Sequence, residues 1–325
     1  MRVLSLLLLC AGSLAAQTAE LGAGIAHYNA RRWTEANTVF AAVVKAQPRN
    51  GDAALWYGRT LLAEGKANDA EKWLQKAVDL SPQSSEAYLW LARAVGVQAM
   101  SANPIRQPFL ARKIKRTVDH AIELNPDNVD ARELRWQFYA MAPSVMGGGE
   151  DKARAEVAEI TKRNRYRGQL LTVGAASRAR DYATAERTLK SLVTEYPDSV
   201  QPMGSFALFL ADRGRPAEAF AIVDAYQKRR PADPLGWFQV GRLAAATGQQ
   251  LDRGEEALRR YLAAPPTASP MAGVPGVPTL ATVYVRLGNI AERRGNKSAA
   301  RAEYQRALAL DPRSNLAKRA LDGVK

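Results

Sequence analysis

Cysteine is almost absent from this sequence. Cys10 is the single thiol among 325 residues, and histidine occurs twice, as His27 and His120. One cysteine excludes an intrachain disulfide framework, and so few soft ligands leave no thiolate metal site. Long hydrophobic runs are missing as well: no stretch of 18 apolar residues exists, so no spanning helix is expected. Catalytic signatures are also lacking. There is no G-x-S-x-G elbow. Gly58 to Lys66 has a phosphate-loop flavour, but the spacing is two residues too long and Ala67 stands where Ser or Thr is required. Gly22-Ala23-Gly24 follows no strand and is no dinucleotide fingerprint. His120, beside Asp119 and Glu123, has no second histidine one turn away to complete a metal site. Glu255 and Glu256 read as solvated helix residues, and His27 as a buried, hydrogen-bonded core histidine. The sequence thus predicts no enzyme, no cofactor, no metal and no small-molecule substrate.

What the chain does contain begins with a short leader. Arg2, the apolar run Leu4 to Leu9 and the small residues Ala11 to Ala16 have the order of a secretory signal peptide covering residues 1–16, cleaved after Ala15 or Ala16. The residue before Cys10 is Leu9, not the small residue a lipoprotein signal needs. A periplasmic or secreted location is therefore expected, with membrane contact only through an uncleaved signal or a partner. Apolar residues make up 47% of the chain, ample for a core, and the net charge is +14. Such a surface attracts polyanions and acidic partners without dictating a fold.

Prolines that follow helical runs expose a period. Pro48 and Pro82 are 34 residues apart, as are Pro197 and Pro231; the remaining intervals to Pro126 and Pro312 fit the same period with three insertions. Other residues fall in phase. Gly24, Gly58, Ala92, Gly241 and Gly288 share repeat position 8; Gly65, Gly214, Gly248 and Gly295 share position 15. Ala36, Ala70, Ala185, Ala219 and Ala300 share position 20. Phe40, Leu74, Val118, Leu189, Val223 and Tyr304 share position 24, and Ala77, Ala121 and Ala307 position 27. Antiparallel helices approach closely only where side chains are small, with a large residue filling the gap beside each small one. Glycine ends the first helix of each pair, and proline marks the end of the second.

This pattern resembles the tetratricopeptide repeat, with 51–84 and 281–314 as the cleanest copies. The resemblance implies an all-α, right-handed superhelical solenoid of about eight helix pairs. Their approximate bounds are 17–50, 51–84, 85–128, 129–165, 166–199, 200–233, 234–268 and 281–314, and residues 315–325 form a closing helix. Three irregular insertions are expected at Val97 to Pro108, Pro143 to Gly149 and Pro265 to Pro278. The first two are apolar enough, through Val97, Met100, Ile105, Phe109 and Met146, to pack against the solenoid. The glycines at 147, 148 and 149 read as a tight loop entering a helix whose first turn carries Glu150 and Asp151.

The resemblance further implies that helix A of each pair lines a concave binding face through positions 2, 5, 6, 9, 12 and 13. Those positions bring up Trp56 with Arg59 and Trp90 with Arg93, as i, i+3 pairs, and Arg242. Such residues suit a protein or peptide partner with acidic and apolar side chains. The alternative is that the tryptophans pack between repeats with the arginines laid over them. The Lys and Asn clamp by which some relatives hold a C-terminal carboxylate is absent, since Leu21, Ile25 and Trp56 occupy the matching sites. Two basic clusters, Arg112, Lys113, Lys115, Arg116 and Lys162, Arg163, Arg165, Arg167, read as solvated surface around the lone aromatic Tyr166. The sequence therefore predicts a non-catalytic interaction scaffold of the cell envelope. Binding of an anionic envelope polymer, cell-wall glycan or lipopolysaccharide, is the alternative, nucleic acid is not an expected ligand, and an enzyme sited in the irregular loops ranks last.

Overall fold

Side-chain caps start many of the helices. Asn50, Ser84, Asn128, Asp181, Asn296 and Ser314 each accept a hydrogen bond from a backbone N–H three residues on, satisfying one of the donors a helix start leaves free. A computed structural model describes residues 19–266 and 277–324. The expected signal at 1–16, Cys10 and most of the third insertion lie outside the described residues. The described chain is all helical and contains no strand.

In order, the helices are α1 (19–29), α2 (Trp33–Ala46), α3 (Gly51–Ala63), α4 (Ala67–Leu80), α5 (Ser85–Ser101), α6 (Gln107–Leu124), α7 (Val129–Met141), α8 (Glu150–Arg163) and α9 (Arg165–Arg178). They continue with α10 (Tyr182–Glu195), α11 (Val200–Asp212), α12 (Pro216–Arg229), α13 (Pro234–Thr247), α14 (Leu251–Ala263), α15 (Leu280–Arg293), α16 (Lys297–Leu310) and α17 (Asn315–Gly323). Odd-numbered helices up to α15 are the first, or A, helices of hairpins; the next even-numbered helix is the B helix. The chain divides into two compact units, Met1–Gly168 and Gln169–Lys325, with the boundary inside α9. Each unit is a stack of antiparallel hairpins in which an A helix packs on its own B helix and on the next hairpin.

The in-phase residues form the core. The five alanines of position 20, the three of position 27 and the six large residues of position 24 are all at most 1% exposed. Glycine at position 8 makes the close approach possible. A Cβ on Gly58 would stand 2.5 Å from Leu74 Cγ, one on Gly241 2.2 Å from Leu258 Cγ, and one on Gly288 2.2 Å from Tyr304 Cε1. Gly58→Ala is therefore expected to destabilise the protein by about 1–3 kcal/mol, measured by urea unfolding, because Leu74 must leave its well.

Position 15 adopts the left-handed conformation at Gly65, Gly214, Gly248 and Gly295, with φ between 73° and 79°. In the α1–α2 and α9–α10 turns the same slot holds Arg31 and Arg180, both at φ 58°. A side chain there costs about 1–2 kcal/mol.

The insertions differ from expectation. Residues 97–108 are largely helical, because they lengthen α5 and the start of α6 and leave a short link at 102–106. Nothing breaks the helix before Pro104, and Pro108 sits in the first turn of α6, where proline is tolerated. Val97, Met100, Ile105 and Phe109 do not pack against the solenoid but stand exposed. Met146 does pack, beside Phe138, from a 3-10 turn at Ser144–Met146. Gly147 and Gly149 take φ of 95° and 150°, and a Cβ on Gly148 would collide with the Ala142 carbonyl oxygen at 1.8 Å. The segment is thus a tight glycine-dependent entry to α8.

Candidate binding site on the A helices

In the first unit the A helices α1, α3 and α5 present one continuous ladder of aromatic rings and guanidiniums. Because a hairpin repeats its sidedness every 34 residues, position 6 of α3 and of α5 face the same way, and position 9 lies one turn further along each helix. Trp56, Arg59, Trp90 and Arg93, all half-buried, are accordingly brought together. The Arg59 Cζ lies 3.8 Å from the Trp56 ring centre and 4.3 Å from that of Trp90, sandwiched between two hairpins. Arg93 also stacks on Trp90, its Cζ 4.5 Å from the ring centre. Tyr28 of α1 extends the ladder, edge-on to Trp56 at 5.2 Å and within 5.2 Å of Arg59. Trp56 also stacks on Phe40 at 6.2 Å. Packing between repeats and presentation of cations on the A-helix face thus occur in the same residues.

Charge compensation differs along the ladder. Arg93 Nη2 is 3.8 Å from Asp130 Oδ1, which also takes Arg167 Nη2 at 2.6 Å. Arg167 pairs with Glu133 too, and these carboxylates raise its pKa, the Glu133 contact most strongly. The second basic cluster is therefore no simple solvated surface, because Arg163 meets Asp127 at 3.0 Å and Lys162 meets Glu159. Arg93, Asp130, Glu133 and Trp136 line a small concavity of about 140 Å³. Arg59 has no carboxylate in ion-pair range among the described residues, and its Nε is buried without a hydrogen-bond partner.

Arg242 belongs to the second unit and to a different cluster. From α13 its Nη2 donates to the Gly204 carbonyl of α11 at 2.8 Å, an approach open because residue 204 has no side chain. Burial, with repulsion from Arg286 of α15, pushes the Arg242 pKa down to about 10, and burial lowers that of Arg286 as well. Neither guanidinium has a carboxylate in ion-pair range among the described residues, and both Nε atoms, with Gln239 Oε1, are buried without hydrogen-bond partners. Two half-buried guanidiniums with unused donors can take an oxyanion as acceptor. Sequence reasoning missed Arg286 although it occupies position 6, the slot of Trp56 and Trp90, and it missed Tyr28 at position 12.

Other expected features resolve differently. His27 is half-buried and its buried Nδ1 has no hydrogen-bond partner, so it is not the satisfied core histidine expected. His120 stands edge-on to Tyr88 at 4.5 Å and meets Glu123 Oε2 at 3.0 Å. Glu255 is not merely solvated, since it bridges Arg259 and Arg294, which lower its pKa, Arg294 foremost. Among the described residues no group of three or more His, Cys, Asp or Glu side chains is placed to hold a metal, and no helix is long and apolar enough to cross a membrane.

Comparison with known proteins bears on the fold. No curated protein matches the chain in sequence. Among solved structures, a thermophilic TPR protein of Thermus thermophilus is similar at 20% identity and a TM-score of 0.51, over 60% of this chain and 98% of its own. A tetratricopeptide repeat protein of Parabacteroides merdae is similar at 13% identity and 0.52, over 95% and 99%. The human IFIT1 dimer with PPP-AAAA is similar at 16% identity and 0.51, over 93% and 71%. A tetratricopeptide repeat profile matches residues 21–85 and 170–234, and a second of the same description matches 281–314, together just over half of the chain. Matched on that share of its length and built of stacked antiparallel helix pairs, the chain belongs to the tetratricopeptide repeat family.

Proposed function

We propose that the protein is a non-catalytic scaffold of the cell envelope that holds an acidic peptide or protein segment on its A-helix faces. Tetratricopeptide repeats serve generally as protein-interaction scaffolds. The observation that carries this reading is the uncompensated charge on those faces: Arg59 between Trp56 and Trp90 in one unit, and Arg242 with Arg286 in the other. A partner carboxylate would supply the missing bidentate acceptor, and the indole planes would cover apolar side chains beside it. The export signal proposed for residues 1–16 supports the envelope location.

Crosslinking in cells followed by recovery from envelope extract tests the proposal. Trp90→Ala and Arg59→Gln are each expected to reduce partner recovery about thirtyfold, as for a hot-spot residue. Unchanged recovery with both variants would reject the A-helix ladder as the binding site. A second reading, an anionic envelope polymer as ligand, is favoured by the net charge of +14. Its mark is affinity that falls steeply with salt and is indifferent to Trp90→Ala. PPP-AAAA, the ligand solved with human IFIT1, serves as the nucleic-acid control.

A further inference from the structure

Nine large apolar side chains stand exposed among the described residues, and six of them gather at one edge of the first unit. They are Val97 and Met100 at the end of α5, Ile105 in the following link, Phe109 at the start of α6, Met141 at the end of α7 and Val145 in the 3-10 turn. Hairpins stacked in parallel place their A–B turns along a single edge, and the 3-10 turn that carries Val145 packs against α6. Ala99, Ala102 and Met146, partly buried beside these residues, pack against the same core cluster as Leu110 and Phe138. The other two A–B turns of the unit are polar, with Arg31, Arg32, Glu64 and Lys66. Met100, Ile105 and Val145 are at least 80% exposed. They are single side chains projecting from turns and helix ends, and they enclose no groove.

Cations border this edge. No acidic residue occurs between Val97 and Val118, whereas Arg106, Arg112, Lys113, Lys115 and Arg116 do. Lys113 is paired with Glu71 at 2.6 Å and Lys115 with Asp119 at 2.5 Å. Arg112 and Arg116 are exposed and form no ion pair among the described residues. Phe109, Arg112 and Arg116 fall at i, i+3 and i+7 on α6, one stripe of the helix. At 1.5 Å per residue the two arginines sit about 5 and 10 Å behind the phenylalanine. With the phenylalanine at the headgroup–acyl boundary, arginines on the same stripe lie within reach of the lipid headgroups.

We propose that this edge docks the protein onto an anionic lipid surface. Met100, Ile105, Phe109 and Val145 enter the headgroup–acyl boundary, and Arg112 and Arg116 pair with lipid phosphates. Charge complementarity selects the occupant, since an apolar protein partner would gain nothing from unpaired arginines set at headgroup depth. The inference is independent of the A-helix site, which lies on other side chains.

Co-sedimentation with vesicles of phosphatidylcholine, with and without phosphatidylglycerol, tests it. The full chain and the chain from Gln17 are used side by side, so that the leader's own lipid affinity is measured. The wild type is expected to bind only the anionic vesicles, and less at higher salt. Arg112→Gln with Arg116→Gln weakens binding about thirtyfold, and Met100→Ser with Ile105→Ser about tenfold. Leu310→Ser, at an exposed apolar site elsewhere, leaves binding unchanged. All these positions are exposed, and unaltered circular dichroism verifies folding. Failure of the chain from Gln17 to bind anionic vesicles, or equal binding by all variants, overturns the proposal. So does an edge variant that converts a dimer to a monomer while vesicles are not bound, which would make the edge an interface between two copies of this chain.

Discussion

Replacing Glu156 by alanine is expected to lower the stability of the protein by about 3–5 kcal/mol, seen as a shift in the urea midpoint and in the thermal transition. Glu156 is buried in α8, and its Oε1 accepts from Arg132 Nη1 at 3.0 Å while Oε2 lies 2.6 Å from Arg135 Nη2. Arg132 and Glu156 side chains are only 7% and 5% exposed. Burial opposes the charge on Arg135, but the carboxylate beside it more than offsets this and raises its pKa. Arg135 continues to Asp119, which pairs with Lys115 at 2.5 Å, so the network ties α6, α7 and α8 together. Removing the carboxylate leaves one buried guanidinium without its counter-charge. The apolar pair Arg132→Met with Glu156→Leu should cost much less than Glu156→Ala alone, because no ion is then stranded. Since repeat arrays unfold in parts, amide exchange localised to α7 and α8 is the sharper readout.

Raising the pH beyond 10 is the second large perturbation. Tyr226 and Tyr304 are at most 1% exposed, and each donates its phenol hydrogen to a carboxylate, Asp233 and Glu292 respectively. Asn289 Oδ1, 2.8 Å from the Tyr304 hydroxyl, is a second acceptor sharing that one hydrogen. Burial, then the adjacent carboxylate, raises both pKa values well above the usual phenol range. The folded state thus holds protons that the unfolded chain releases near pH 10. The contribution is fully present below that pH and is lost as the pH rises toward the raised folded values. Stability should fall by about 1.4 kcal/mol per pH unit for each phenol. Urea midpoints measured up the alkaline range should show the slope, and Tyr226→Phe with Tyr304→Phe should flatten it. The single variants at pH 7 should cost about 1–3 kcal/mol, since each removes the hydrogen bond of a buried phenol to a charged carboxylate.

The repeat was legible because its causes are local. A helix pair that touches along its length needs a small residue at fixed offsets and a large one opposite, so Gly58 with Leu74 and Gly288 with Tyr304 announce themselves in the sequence. The left-handed turn at position 15 announces itself for the same reason, except where Arg31 and Arg180 fill a slot meant for glycine. The meeting of Trp56 and Arg59 with Trp90 and Arg93 was legible too, as a consequence of equal phase in adjacent hairpins. Arg242 shares that phase but lies in the other unit, so phase alone could not say which residues would meet.

What the sequence by itself determined is the helix-pair period, the residues that fill each hairpin's interior and the poverty of catalytic groups. Only the tertiary structure decided where charge is compensated. Arg132 and Glu156 are 24 residues apart and form a buried pair, whereas Arg242 and Arg286 are half-buried, their Nε atoms buried, with no carboxylate in range among the described residues. It also decided that Met100 and Ile105 face outward, where their hydrophobicity had pointed inward. The physical reason is range. Periodicity is written by contacts inside one hairpin and its neighbour, while the environment of a charge or an apolar side chain at a turn is set by whichever chain packs over it. No residue at that position carries the information.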